Sequence, residues 1–146
     1  MMNFNFRLER VLNFKESIEE LKKAEYGTVQ QKLNQEEDKL EKINYHKIDI
    51  KNQKNLSTTK TKVGNLALFN DYIVNLEKKI KAQEKVVYKT ELELEKAKEE
   101  MKLAVQEKKT FEKLKEKEYE KHLYQMKKME EKQVDTIVNF RTSTQQ

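Results

Sequence analysis

From Phe69 the sequence steps by four and three through Ile73, Leu76, Ile80, Gln83, Val87, Thr90, Leu94, Ala97, Met101 and Ala104. A period of 3.5 held this long is that of an α-helix whose apolar stripe faces another helix in a left-handed supercoil. The 146 residues contain no proline and two glycines, where a globular chain of this length would carry about seven prolines. Such a chain turns almost no corners. Leu, Ile, Val and Phe make up about a quarter of it, above the ~20% below which disorder is the default.

The same counts exclude whole classes of function. Two glycines leave no glycine-rich phosphate cradle. The absence of cysteine removes disulfides, thiolate metal sites and thiol nucleophiles. Disulfide-stapled scaffolds, zinc fingers, P-loop and Rossmann enzymes are ruled out on these grounds.

The first half repeats the period. Phe4, Leu8, Val11 and Ile18 step by four, three and seven, and Val29, Leu33, Leu40, Ile43 and Ile50 resume it after a gap of eleven. The gap reads as a stutter that locally unwinds the supercoil. Gly27 lies inside it, a weak point in the helix or a place of close approach. A second stutter is expected beyond Ala104. There the row Lys108, Phe111, Lys115 and Glu118 turns polar and apolar residues reappear in a shifted phase at Tyr119, Leu123, Met126, Ile137 and Phe140. Ala97 and Ala104 are thin, so the helices should approach closely beside them.

One segment changes composition: Leu56-Ser57-Thr58-Thr59-Lys60-Thr61-Lys62-Val63-Gly64-Asn65. Its hydroxyl residues compete for backbone hydrogen bonds, Gly64 can supply a positive φ, and Asn65 is a candidate N-cap. The expectation is all-α: a single coiled-coil domain over residues 1–146, with a helix from about 4 to 55, a turn at about 56–65 and a helix from about 66 to 140. A short connection makes the two helices antiparallel neighbours. Folding about residues 60–61 puts Phe4 near residue 117, and residues beyond about 120 overhang the pair.

The charge is +5, from 31 basic and 26 acidic residues. Only Arg7, Arg10 and Arg141 are arginine, the residue that nucleic-acid readers use for bidentate contacts. Lysine and glutamate are interleaved, as in Glu95-Lys96-Ala97-Lys98-Glu99. The expectation is a solvated mixed-charge surface and no nucleic-acid partner. The longest apolar run, Leu66-Ala67-Leu68-Phe69, is far short of the ~20 residues that span a bilayer, so no direct membrane insertion is expected. Residues 1–12 carry Arg7, Glu9 and Arg10 where a signal peptide needs an apolar core, which points to the cytoplasm.

His46 and His122 are the only histidines, and the antiparallel arrangement separates them by several turns. Both read as solvated, with no metal and no cofactor. A pair of helices offers no pocket to shift a carboxylate pKa. Ser17, Ser57 and Ser143 lack a neighbouring His–Asp arrangement. The chain is expected not to be an enzyme.

Three features exceed a bland coiled coil. The start, Phe4-x-Phe6-x-Leu8-Glu9-x-Val11-Leu12, is unusually apolar: either a plug that closes the pair or a contact for a partner. In Tyr72-Ile73-x-x-Leu76-Glu77-x-x-Ile80, the tyrosine sits beside the seam, where it either packs or faces a partner. The overhang with Leu123, Met126, Met129, Val134, Ile137 and Val138 has no partner in this register and invites another protein.

These residues carry a resemblance. The chain resembles the flagellar export protein FliJ family along its whole length. The Phe-x-Phe-x-Leu-Glu-x-Val-Leu start is similar to the family's amino terminus. The run Tyr72-Ile73-Val74-Asn75-Leu76-Glu77-Lys78-Lys79-Ile80 is similar to its aromatic-Ile-x-x-Leu-Glu-x-x-Ile run. Residues 107–114 and Lys132-Gln133-Val134-Asp135 are similar to later landmarks. The resemblance implies a two-stranded antiparallel coiled coil like the central stalk of rotary ATPases. It implies a non-enzymatic role in flagellum biogenesis and type III protein export, and so in motility and chemotaxis. The implied partners are the FliI export ATPase hexamer, the export gate protein FlhA and export chaperones, with the free protein a monomer held at the cytoplasmic side of the membrane through the export apparatus. The implied gate surface is Tyr72, Leu76, Lys79 and Gln83, where Lys79 replaces a small residue and Gln83 a histidine. The implied ring contacts are the helix ends, marked by Phe4, Phe6, Leu8, Leu123, Met126 and Ile137. Composition alone leaves one rival, a structural coiled coil that self-associates.

Overall fold

The computed structural model describes residues 3–57 and 63–144. It contains two helices, α1 (Glu9–Ser57, 49 residues) and α2 (Val63–Thr144, 82 residues). They pack against each other as a hairpin. The middle of the expected turn, residues 58–62, lies outside the described residues. Gly64 and Asn65 differ from expectation: α2 begins at Val63, so Asn65 lies within its first turn and is not its N-cap. α2 also runs past the expected end at Phe140.

The chain divides into two compact units: Met1–Glu20 with Lys102–Gln146, and Leu21–Met101. In each, α1 residues face α2 residues in descending order. Within the first, Lys115 bonds Glu9, and Lys15 bonds Glu107. Within the second, Lys22 reaches Glu100, Lys32 reaches Glu93, and Lys47 reaches Glu77. Phe4 stacks edge-on against Tyr119, with ring centroids 5.2 Å apart, and lies 5.5 Å from the His122 ring. The register is therefore a few residues beyond the one that placed Phe4 near residue 117.

No stutter interrupts the covered rows up to His122; beyond it Met126, in the shifted phase, is the one partly covered position among the described residues. On α1 one covered row runs through Leu12, Lys15, Glu19, Lys22, Tyr26, Val29, Leu33, Glu36, Leu40, Ile43, Lys47 and Ile50, an unbroken alternation of three and four, with Val11, Ile18 and Gln30 partly covered beside it. On α2 the alternation runs from Leu66 through Ala104, then Lys108, Phe111, Lys115, Glu118 and His122 in the original phase. Tyr119 and Leu123, expected to start a shifted row, are exposed at 45% and 48%. The apparent gaps are filled by Lys and Glu, whose hydrocarbon stems cover the seam while the charged ends reach partners at its edge.

The apolar core is Leu12 and Phe6 with Ala104 in the first unit, and Leu33 with Ile73, Leu76, Ile80 and Val87 in the second. Each buried Leu or Ile contributes about 1.5–3 kcal/mol against leaving it in water. Thr90, the most enclosed side chain at 2% exposed, satisfies its hydroxyl on the Val86 carbonyl, 2.8 Å away. α1 starts at Glu9, directly after a turn at residues 7–8. The segment before it lies across α2, Phe6 is inserted, and the Glu9 N–H donates to the Phe6 carbonyl.

Gly27 is not a place of close approach. It is exposed, and a Cβ built on it would meet nothing within 4 Å. Ala97, with Ala24, Thr28 and Val29, lines an open hollow on the surface of the second unit.

Candidate protein-docking surfaces

Tyr72, Leu76, Lys79 and Gln83 follow one another down α2, but they do not share one exposed face. Lys79 is exposed. Leu76 is 4% exposed and belongs to the seam. Gln83 is half-buried, and its amide donates to the Glu36 carbonyl at 2.9 Å and to the Glu36 carboxylate at 2.6 Å. That amide is the chief reason the Glu36 carboxyl is held below the ordinary glutamate range, with Lys39 and Lys32 adding to the effect. Tyr72 is 43% exposed. Its hydroxyl shares a 2.7 Å hydrogen bond with His46 Nε2, and the two rings meet edge-on at 89°. His46 is exposed, as expected, and is also the α1 partner of that tyrosine. No periodic signal marks this pair, because a histidine and a tyrosine beside the seam leave no trace in the apolar rows.

The residues expected at the helix ends also separate. Phe6 is 4% exposed and fills the core. Phe4 and Leu8 are half-buried, Phe4 against Tyr119 and His122. Met126 is half-buried, while Leu123 and Ile137 stand about half in solvent. From residue 127 to residue 144 every α2 side chain is exposed, including Met129, Val134, Ile137, Val138 and Phe140.

Charge in the first unit's seam is paired. Glu19, only 5% exposed, meets Lys108 at 2.6 Å. That bond to Glu19 is the largest of the effects that raise the Lys108 pKa above the ordinary lysine value, with Glu112 adding to it. Among the described residues, no group of three or more His, Cys, Asp or Glu side chains is placed to hold a metal ion. Among the described residues, no helix is long and apolar enough to cross a membrane. What the surface offers chemically is exposed apolar groups on rigid helices, the material of protein contacts.

No curated protein matches the chain significantly. Among solved structures it is similar to that of a putative YscO homolog, CT670, from Chlamydia trachomatis, at 21% identity, covering 94% of each chain with a TM-score of 0.47. The family described as Flagellar FliJ protein matches residues 4–146. Nearly the whole hairpin is thus accounted for, and the chain belongs to the FliJ family.

Proposed function

We propose that this FliJ-family chain is the non-enzymatic stalk of the flagellar export apparatus. It couples the FliI ATPase ring to the FlhA gate at the cytoplasmic face of the membrane and handles export chaperones. The observation that carries this reading is the carboxyl-terminal stretch of α2. Residues 127–144 stay helical while every side chain is exposed. A helix that holds Val134, Ile137, Val138 and Phe140 in water gains most of its stability only when another surface covers them.

The mechanism is differential binding. A helix pair that touches the subunits of a ring unequally shifts their nucleotide equilibria by the difference in its affinities for their states. The ring contact is assigned to Leu123, Met126 and Ile137, with Phe4 beside them. Phe6 and Leu8 support that end by closing the pair. The gate contact is assigned to Tyr72 and Lys79, with Leu76 and Gln83 holding the helix beneath them.

The test is stimulation of a purified FliI hexamer's ATPase by the full chain. Ile137→Gln should weaken stimulation with the helical signal intact, and Phe6→Ala should lower thermal stability first. A chain that neither binds nor stimulates the ring, or that sediments as a growing filament instead, overturns the proposal.

A further inference from the structure

A second apolar row runs along α1 beside the seam. Val11, Phe14 and Ile18 step by three and four, displaced by one position from Leu12, Lys15 and Glu19. One row is enough to pair a helix with one neighbour. A second row of the same period equips it for two. Phe14 is 60% exposed, and Val11 and Ile18 are half-buried. The pair therefore covers Val11 and Ile18 only in part and leaves Phe14 uncovered.

α2 carries matching groups on the same side. The ion pair between Lys15 and Glu107, at 2.9 Å, fixes which faces meet. Lys15 lies one turn from both Val11 and Ile18. Glu107 lies one turn from Leu103 and two from Leu114, so those leucines share its face. Leu103 is 56% exposed and Leu114 is 40% exposed. Helical spacing from that ion pair sets the five apolar side chains along the groove between α1 and α2 within the unit Met1–Glu20 with Lys102–Gln146.

The charge around this groove selects its occupant. Arg7 and Arg10 are one turn before Val11 and Phe14, and Lys113, Lys117 and Lys121 flank Leu114 and follow it at helical spacing. All five are exposed, and among the described residues none is held in an ion pair. Of the carboxylates near this face, Glu107 is taken up by Lys15, and Glu118, half-buried at a seam position, lines the same hollow as Lys121, which leaves the cations in excess. We infer that the groove docks an acidic amphipathic helix of a partner protein. The apolar stripe of that helix lies along Phe14, Ile18 and Leu114, and its carboxylates lie over the cations at the Arg7–Lys121 end. Helix-in-groove binding uses anchors at this spacing, and the cations supply steering that salt weakens. None of these residues belongs to the ring or gate contacts assigned above.

The test uses the full chain and a fluorescent peptide of about three heptads, with leucines on one face and glutamates on the other. Anisotropy should show binding that weakens as salt rises. A scrambled peptide of the same composition should bind at least about tenfold more weakly. Phe14→Gln should cost about tenfold or more. Lys113→Glu combined with Lys117→Glu should weaken binding and flatten the salt dependence. Tyr45→Gln, at an exposed aromatic of the other unit, should change nothing. Circular dichroism confirms that each variant stays helical. Equal binding of the scrambled peptide, or an unaffected Phe14→Gln, overturns the inference. So does concentration-dependent sedimentation that Phe14→Gln abolishes, since the groove would then be covered by a second copy.

Discussion

Replacing Tyr72 by Phe and by Ala separates two things its side chain does. The hydroxyl holds His46 across the pair at 2.7 Å, and the ring packs beside the seam. A tyrosine covers roughly 200 Å² when fully enclosed. At 43% exposed, somewhat over half of that area is covered, roughly 110 Å². At about 25 cal/mol per Å², less the share already buried in a compact unfolded chain, the ring contributes about 2 kcal/mol. The hydroxyl bond is half-open to water and contributes less than about 1 kcal/mol. Tyr72→Phe should therefore lower unfolding free energy by under about 1 kcal/mol, and Tyr72→Ala by about 2 kcal/mol more than a bare surface change would. Denaturant titration followed by circular dichroism measures both. Binding to FlhA, measured well below the unfolding midpoint, should fall at least ~30-fold for Ala if the ring is an anchor. A Tyr72→Ala chain within ~0.5 kcal/mol of the parent refutes the packing argument. A folded Tyr72→Ala chain that binds FlhA normally removes Tyr72 from the gate contact.

Gly27→Ala should stabilise the chain by about 0.8–1 kcal/mol, a rise of about 2–4 °C in Tm, because the added Cβ meets nothing and the glycine costs helix propensity; an unchanged or lower Tm would contradict this. Glu19→Gln should lower Tm by leaving Lys108 with only the longer, exposed contact to Glu112, whereas Glu19→Leu combined with Lys108→Leu should melt at or above the parent. The depressed Glu36 carboxyl gives stability that is complete above the unfolded glutamate pKa of about 4.3 and is lost as pH falls through the lower folded value, so Gln83→Leu should flatten the acid limb of the stability profile. Spin labels at residues 40 and 81 should be close, and a separation beyond about 50 Å, as in one continuous helix, would exclude the hairpin.

The two helices, their pairing and the apolar half of the seam were legible because periodicity is a local signal repeated many times. The polar half was not. Lys15, Glu19 and Lys22 look like solvent-facing residues when polarity alone is scored, yet their stems fill seam positions and their charges meet at 2.9 Å for Lys15–Glu107 and 2.6 Å for Lys108–Glu19. The two stutters were that misreading. Asn65 has the composition of a cap, but helix starts are set by where the chain leaves its turn, and α2 starts two residues earlier. At the candidate gate surface, the sequence shows Tyr72 beside the seam. That His46 holds it depends on a register across the pair that no local pattern fixes to within a turn. Phe6 looked equally suited to plug and contact, and its burial at 4% is what a plug requires.

The charged seam also bears on how the chain is made. α1 leaves the ribosome before any of α2 exists, and at about 5–20 residues per second the 82 residues of α2 take roughly 4–16 s to follow. During that interval neighbouring nascent chains on one messenger expose the same 49-residue helix. Two such helices paired in parallel would stack Lys15 on Lys15, Glu19 on Glu19 and Lys22 on Lys22, each a like-charge contact at a covered position. α2 presents Glu107, Lys108 and Glu100 at the matching heights, and no second α1 does. The polar seam therefore discourages siblings on a polysome from annealing while each waits for its partner.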